Sequence, residues 1–161
     1  MKRVWYTIFG QNMSEQQAQR LDTVYFLIAP DFDEGPLILL AGKLRNAGIS
    51  VELIGIEHGL VSGSHGIALK TDSIVSDLPD LPPKMIVFPG GRRSLFRLLV
   101  DPRVRKLVQK TVAQQGHIVA IGDVSALLWE DGILASSPDR LIDISNVNLL
   151  IEPQVIINLL L

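Results

Sequence analysis

The chain has 161 residues, 47% of them apolar, and a formal net charge of −2. That length is one domain's worth, the apolar content can fill a sizeable core, and the charge gives no overall field to draw the molecule onto nucleic acid or an acidic membrane. The sequence holds no cysteine, which excludes disulfides, thiolate metal centres and cysteine nucleophiles.

Residues 1–20 read as an N-terminal extension to a single domain spanning 21–161. "VWYTIF" (Val4–Phe9) has strand chemistry, and Ser14 with Gln17 has the spacing of a capping box. Gly10, Gln11 and Asn12 interrupt the short apolar run and no small-residue cleavage site follows, so no leader is expected. No window of 18 apolar residues occurs, and the expectation is a soluble, cytoplasmic chain without membrane contact. "TVYFLIA" (Thr23–Ala29) is a continuous apolar run, the mark of a strand buried on both faces. After the turn "PDFDEG", "PLILLAGKLRNAG" reads as a helix with Pro36 in its first turn and Gly48 beyond its end. Ser50–Ile56 reads as the next strand, and Ser62-Gly63-Ser64 as the centre of a hairpin.

Beyond the Pro-rich loop "DLPDLPP", "KMIVFPGG" is another buried strand, ending in a glycine pair. "RRSLFRLLV" and "DPRVRKLVQKTVAQQG" read as helices, with Val104, Leu107, Val108 and Thr111 at helical spacing. "HIVAIG" is a third buried strand, and "VSALLWEDG" a helix stopping at Gly132. "RLIDI" and "NLLIEPQVIINLLL" are apolar and β-branched, and their pairing is not assignable from pattern. Strands alternating with helices predict an α/β three-layer sandwich, a mostly parallel sheet flanked by helices in the flavodoxin-like manner. Ligands of such sheets bind beyond the C-terminal strand ends, here "APDFDEG", "FPGG" and "AIGDVS".

These strand ends, in this order, resemble the ThiJ/PfpI superfamily, which shares the glutamine amidotransferase-like fold. "PDFDEGPLILL", "SGSHGIALKTD", "PKMIVFPGG", "GDVSALLWEDGIL" and "ASSP" stand where that superfamily carries its motifs, over about Leu21 to Pro138. The likeness is nearest to the branch of isocyanide hydratases and the amidase-like sensor domains of AraC-type regulators. The resemblance implies a nucleophile elbow, where a strand turns sharply into a helix, with a cysteine at its tip. Counting back from "EDGIL" puts Gly122 at the tip, whereas counting forward from Gly116 puts Asp123 there. Gly122 is preferred, because a one-residue deletion inside the helix would rotate all later side chains by about 100°. The resemblance also implies an acid in the first loop, where Asp31, Asp33 and Glu34 stand out of register, and a histidine that falls at about Ser137. It implies a closing strand and helix that look curtailed here.

The elbow offers two candidate nucleophiles, Asp123 and Ser125, but a hydroxyl needs a base. None of His58, His65 and His117 falls at the implied histidine position, and His65 and His117 read as structural or exposed. The competing reading is that Gly122 turns the backbone while Asp123 or Ser125 caps the helix. Gly90 and Gly91 at a turn opening a helix, with Arg92 and Arg93 beside them, form a candidate anion site. A small anionic ligand would then be held by Gly90, Gly91, Arg92, Gly122, Asp123 and Asp33. Asp31, Asp33 and Glu34 could hold a cation, but carboxylates at such a turn more often offset a helix dipole, and no metal or other cofactor is expected.

Arg92, Arg93, Arg97, Arg103, Arg105, Lys106 and Lys110 supply seven of the fifteen Lys and Arg. Spread around two helices, they read as a solvated face rather than a nucleic-acid patch. The apolar C-terminus must be covered, either as a last strand in this core or by another chain, which makes a homo-oligomer or a protein partner the expectation. Together these readings predict a non-catalytic ThiJ/PfpI-like binding or regulatory protein. The alternative is a diverged hydrolase or hydratase using Asp123 or Ser125.

Overall fold

Four apolar runs, "VYFL", "VELIG", "MIVF" and "HIVAI", form the centre of a six-stranded parallel sheet. The computed structural model describes residues 22–145 and 153–160, with the backbone of 6–8 and 11–13. In chain order the elements are β1 (Tyr6–Ile8), β2 (Gln11–Met13), β3 (Val24–Leu27), α1 (Glu34–Asn46), β4 (Val51–Gly55), β5 (Leu60–Ser62), β6 (Ala68–Lys70), β7 (Ser73–Ile74), β8 (Met85–Phe88), α2 (Arg92–Leu99), α3 (Pro102–Ala113), β9 (His117–Ile121), α4 (Val124–Asp131), β10 (Leu141–Ile144) and α5 (Gln154–Leu160). The main sheet runs β10-β9-β8-β3-β4-β7, and every neighbouring pair is parallel. β1 pairs with β2 and β5 with β6 as two separate antiparallel ribbons. The capping box at Ser14 and Gln17 lies outside the described residues.

The central strands are buried on both faces, and their side chains alternate between two cores. Val24, Phe26 and Ile28 join Leu37, Leu40, Ala41 and Leu44 of α1 and Ile156 and Leu160 of α5. Tyr25, Leu27 and Ala29 join the apolar stripes of α2, α3 and α4. Each fully buried Leu, Ile or Phe in these layers contributes roughly 1.5–3 kcal/mol of transfer free energy. The predicted three-layer α/β sandwich is therefore present.

The C-terminus differs from the sequence reading. "RLIDI" supplies β10, which pairs with β9 from Leu141↔Ile118 to Ile144↔Ile121. The final apolar run holds a helix rather than a last strand, with Ile156 and Leu160 one turn apart and buried in the α1 layer. No helix among the described residues is long and apolar enough to cross a membrane.

From β3 the chain moves outward to β4 and β7, then returns to place β8 on the other side of β3. The strand order thus reverses between β3 and β8, which opens a crevice at their C-terminal ends. The acidic turn after β3 and the glycine pair after β8 meet there.

Candidate functional site

The glycine pair is covered by the acidic turn. Gly90 and Gly91 have φ of 108° and 93°, conformations that favour glycine. A Cβ on Gly91 would lie 2.4 Å from the carbonyl oxygen of Asp31, and one on Gly90 would lie 3.1 Å from Cβ of Asp33. The Asp33 amide donates to the Gly90 carbonyl at 3.2 Å. Ser94, in the first turn of α2, donates through Oγ to the Ala29 carbonyl at 2.9 Å and accepts from the Ala29 amide at 3.2 Å. Arg97, one turn on, donates to the Pro30 carbonyl and to Asp31 Oδ2, both at 2.8 Å. The turn is thus clamped onto the start of α2, and the candidate anion cradle faces a carboxylate. Arg92 and Arg93 are exposed.

At the elbow, Gly122 has φ of 73°, and a Cβ placed on it would meet no atom within 4 Å. Its amide donates to the Ile144 carbonyl of β10 at 3.1 Å. Asp123 is the N-cap residue of α4, yet its carboxylate makes no capping hydrogen bond. Ser125 lies one position into the helix and is half-buried. The turning role read for Gly122 is present, but the capping role read for Asp123 or Ser125 is absent. Among the described residues, no side chain hydrogen-bonds to Asp123 or Ser125.

The residue pair that sequence reasoning missed is Glu34 with His65. Glu34 opens α1 and is only 1% exposed. Its Oε1 accepts the amides of His65 at 2.7 Å and Ile67 at 3.2 Å. Its Oε2 lies 2.8 Å from His65 Nδ1 and accepts from Ser64 Oγ at 3.4 Å. Burial alone would raise the Glu34 carboxyl, but the hydrogen bonds from the His65 ring and from the amides of Glu34 itself, His65 and Ile67 outweigh it and lower it to about 2. The same hydrogen bond raises the His65 imidazole. Ser64 Oγ is also 3.0 Å from His65 Nδ1. A serine relay needs its hydroxyl and its acid on opposite ring nitrogens; here both meet the same one, so Ser64, His65 and Glu34 do not form a triad.

Asp33 sits between this pair and the elbow. Burial raises its carboxyl, the His65 charge opposes that, and the Glu34 and Asp123 carboxylates add to it. Asp33 is the N-cap residue of α1 and, like Asp123, makes no capping hydrogen bond. The structure therefore brings Asp33, Glu34 and His65 together, with one ligand atom from each all within 4.8 Å of one another. Asp31 turns instead to Arg97.

The basic run is largely neutralised. Arg97 pairs with Asp31, Arg103 with Asp101, Arg105 with Asp131 and Lys110 with Asp80. A cavity of about 280 Å³ lies at the ends of β3 and β4, lined by Pro30, His58, Leu60 and Arg97 among others, and none of the elbow or glycine-pair residues lines it.

A parallel sheet with a glycine pair after β8 and a left-handed elbow after β9, both opening on the crevice, defines a flavodoxin-like α/β domain. Residues 22–138 match the model described as the DJ-1/PfpI family, and the chain belongs to that family. It is 25% identical over 111 residues to Deglycase PH1704 of Pyrococcus horikoshii, and 24% identical over 111 residues to Deglycase PfpI of Pyrococcus furiosus. Each match covers 69% of this chain and 66% of the relative, just under two thirds of its length. The crystal structure of Drosophila melanogaster DJ-1beta superposes with a TM-score of 0.73 at 20% identity, covering 84% of this chain and 88% of that one.

Proposed function

We propose that the chain is a non-catalytic binding or regulatory member of the DJ-1/PfpI family. The observation that carries this reading is Gly122: the elbow bends as a nucleophile elbow does, yet its tip bears no side chain and stands in open space. Asp123 and Ser125 flank the tip, but no described base contacts either, so a hydrolase or hydratase centred on them lacks its activating partner. The crevice charge also bears on the ligand. A small anion at Gly90 and Gly91 would meet Asp33, with Glu34 and Asp123 close behind. That arrangement favours a cation over the anion suggested by the glycine pair and Arg92. Self-association belongs to the same reading, and would draw on Ile38 and Leu39 of α1 and Val155 and Leu159 of α5, which are exposed.

Two measurements test the reading. The purified chain is incubated with glyoxals, glyoxal-modified amines, isocyanides and simple amide and ester panels, and no turnover above the buffer rate is expected. Turnover that disappears in Asp123→Asn or Ser125→Ala would establish the diverged-enzyme alternative instead. Light scattering gives the mass in solution, and a monomer at all concentrations would remove the self-association part.

A further inference from the structure

We propose that Asp33, Glu34 and His65 form a binding site for a divalent transition-metal ion of the zinc type, built where the acidic turn after β3 meets the β5–β6 hairpin. This deepens the reading above by naming the ligand, and it is tested without any substrate.

The donor set comes first. One nitrogen and two carboxylate oxygens lie within 4.8 Å of one another. Donors around a tetrahedral ion stand about 3.3 Å apart at ordinary bond lengths. Glu34 Oε2 and His65 Nδ1 are already 2.8 Å apart, so an ion between them replaces the shared proton and spreads them slightly. The side chain of His65 is 73% exposed and Asp33 is half-buried, so both can adjust while Glu34 stays fixed.

The supporting shell comes second. Glu34 Oε1 is pinned by two backbone amides, those of His65 and Ile67. That orients Oε2 toward the ring, as outer hydrogen bonds orient metal-ligating carboxylates. Gly63 leaves the space that this orientation needs, since a Cβ there would lie 2.2 Å from Glu34 Cδ. The hairpin is held to the turn independently of the ring, by the Asp31 amide on the Ser62 carbonyl and the Ser64 amide on the Phe32 carbonyl, both at 2.9 Å.

Charge comes third. Glu34 and Asp123 both act on Asp33 as like charges, with His65 as the opposing charge. Among the described residues, no Lys or Arg forms an ion pair with any of the three, although Asp31, two residues from Asp33, takes Arg97. A divalent ion would balance Asp33 and Glu34 and leave His65 neutral. Mixed nitrogen and oxygen donors without thiolate suit Zn(II), Co(II) and Ni(II); three protein ligands are too few for a calcium cage, and the absence of sulfur disfavours Cu(I).

The competing account is a plain ion pair between Glu34 and His65 that fastens the hairpin. That account gives Asp33 no part, so Asp33 separates the two. The full chain, stripped with chelator, is titrated with Co(II) by visible absorption and with Zn(II) by calorimetry. One ion per chain is expected, with a Co(II) ligand-field band that Zn(II) abolishes. Asp33→Asn and His65→Ala should each weaken binding at least tenfold while retaining the far-UV circular dichroism of the wild type. Asp77→Asn, which removes the carboxylate beside the other exposed histidine pair at His58, should leave binding unchanged. No saturable binding would overturn the proposal. So would binding indifferent to Asp33→Asn, or binding lost in Asp77→Asn.

Discussion

A Cβ on Gly63 would lie 2.2 Å from the carboxyl carbon of Glu34, a residue 29 positions away in sequence and buried at the start of α1. The missing side chain is what lets the hairpin close over a charged group. Because the clash would fall on the carboxyl itself, which accepts two backbone amides, the neighbour cannot yield without losing hydrogen bonds. Gly63→Ala should therefore destabilise the fold by about 1–3 kcal/mol, the range for overpacking a filled site. Gly66→Ala in the same hairpin has no such neighbour, and its cost is confined to its left-handed backbone. Urea midpoints of the two variants give the comparison, and equal losses would refute the close-packing argument.

The Glu34–His65 pair predicts a window of maximal stability in pH. Glu34 titrates at about 2 in the folded chain against a usual 4.5, so its contribution is complete above about pH 4.5 and is lost as the pH falls toward 2. His65 is raised above its usual 6.5, so its contribution is complete below that value and is lost as the pH rises through the folded one. In chelator-treated protein, the stability difference between wild type and His65→Ala should be largest between these limits and shrink on either side. A difference that does not vary with pH would show that the pair is not an ion pair in solution.

The strands were legible in the sequence because burial on both faces removes alternation, and "VYFL" and "MIVF" are wholly buried as their uninterrupted apolar runs imply. β10 was not, because an edge strand half-exposed at Leu141 and Ile142 and exposed at Asp143 carries neither pattern cleanly. α5 was not either: "QVIINLL" has β-branched chemistry, and it is helical because Ile156 and Leu160 reach the α1 layer one turn apart. Tertiary packing overrides local propensity there. At the site, Gly122 and the glycine pair were readable as backbone turns. The Glu34–His65 pair was not, since its members stand 31 positions apart and no periodicity links them. The available hint was the setting of Ser64-His65 between Gly63 and Gly66, which permits a backbone to approach a side chain.

Ser94 ties the crevice from the other side. Its hydroxyl serves both the amide and the carbonyl of Ala29, at 3.2 and 2.9 Å, in a fully buried setting. Ser94→Ala removes both partners at once and leaves a buried amide unpaired, which costs about 1–3 kcal/mol. Ser94→Thr retains the hydroxyl and tests whether the loss is one of hydrogen bonding. Amide exchange at Ala29 should accelerate in Ser94→Ala relative to the centre of β3. Unchanged protection would mean that water or backbone movement satisfies the amide instead.

Gly122 offers the most direct check on the function proposed. A cysteine placed there meets open space, so the cost of Gly122→Cys is that of a side chain at φ 73°, about 1–2 kcal/mol. The chain has no other thiol, so a disulfide reagent should label one group per chain in the variant and none in the wild type. Position 122 immediately precedes the N-cap of α4, so the helix N-terminus favours the thiolate while the adjacent Asp123 carboxylate opposes it, and the labelling rate against free cysteine at the same pH reads the balance. The variant should remain inactive on the glyoxal and ester panels, because restoring the nucleophile does not restore a base. A thiol that resists labelling in the folded chain would show that the tip is closed. A gain of turnover would show that the remaining site is catalytically competent, and that only the nucleophile has been lost.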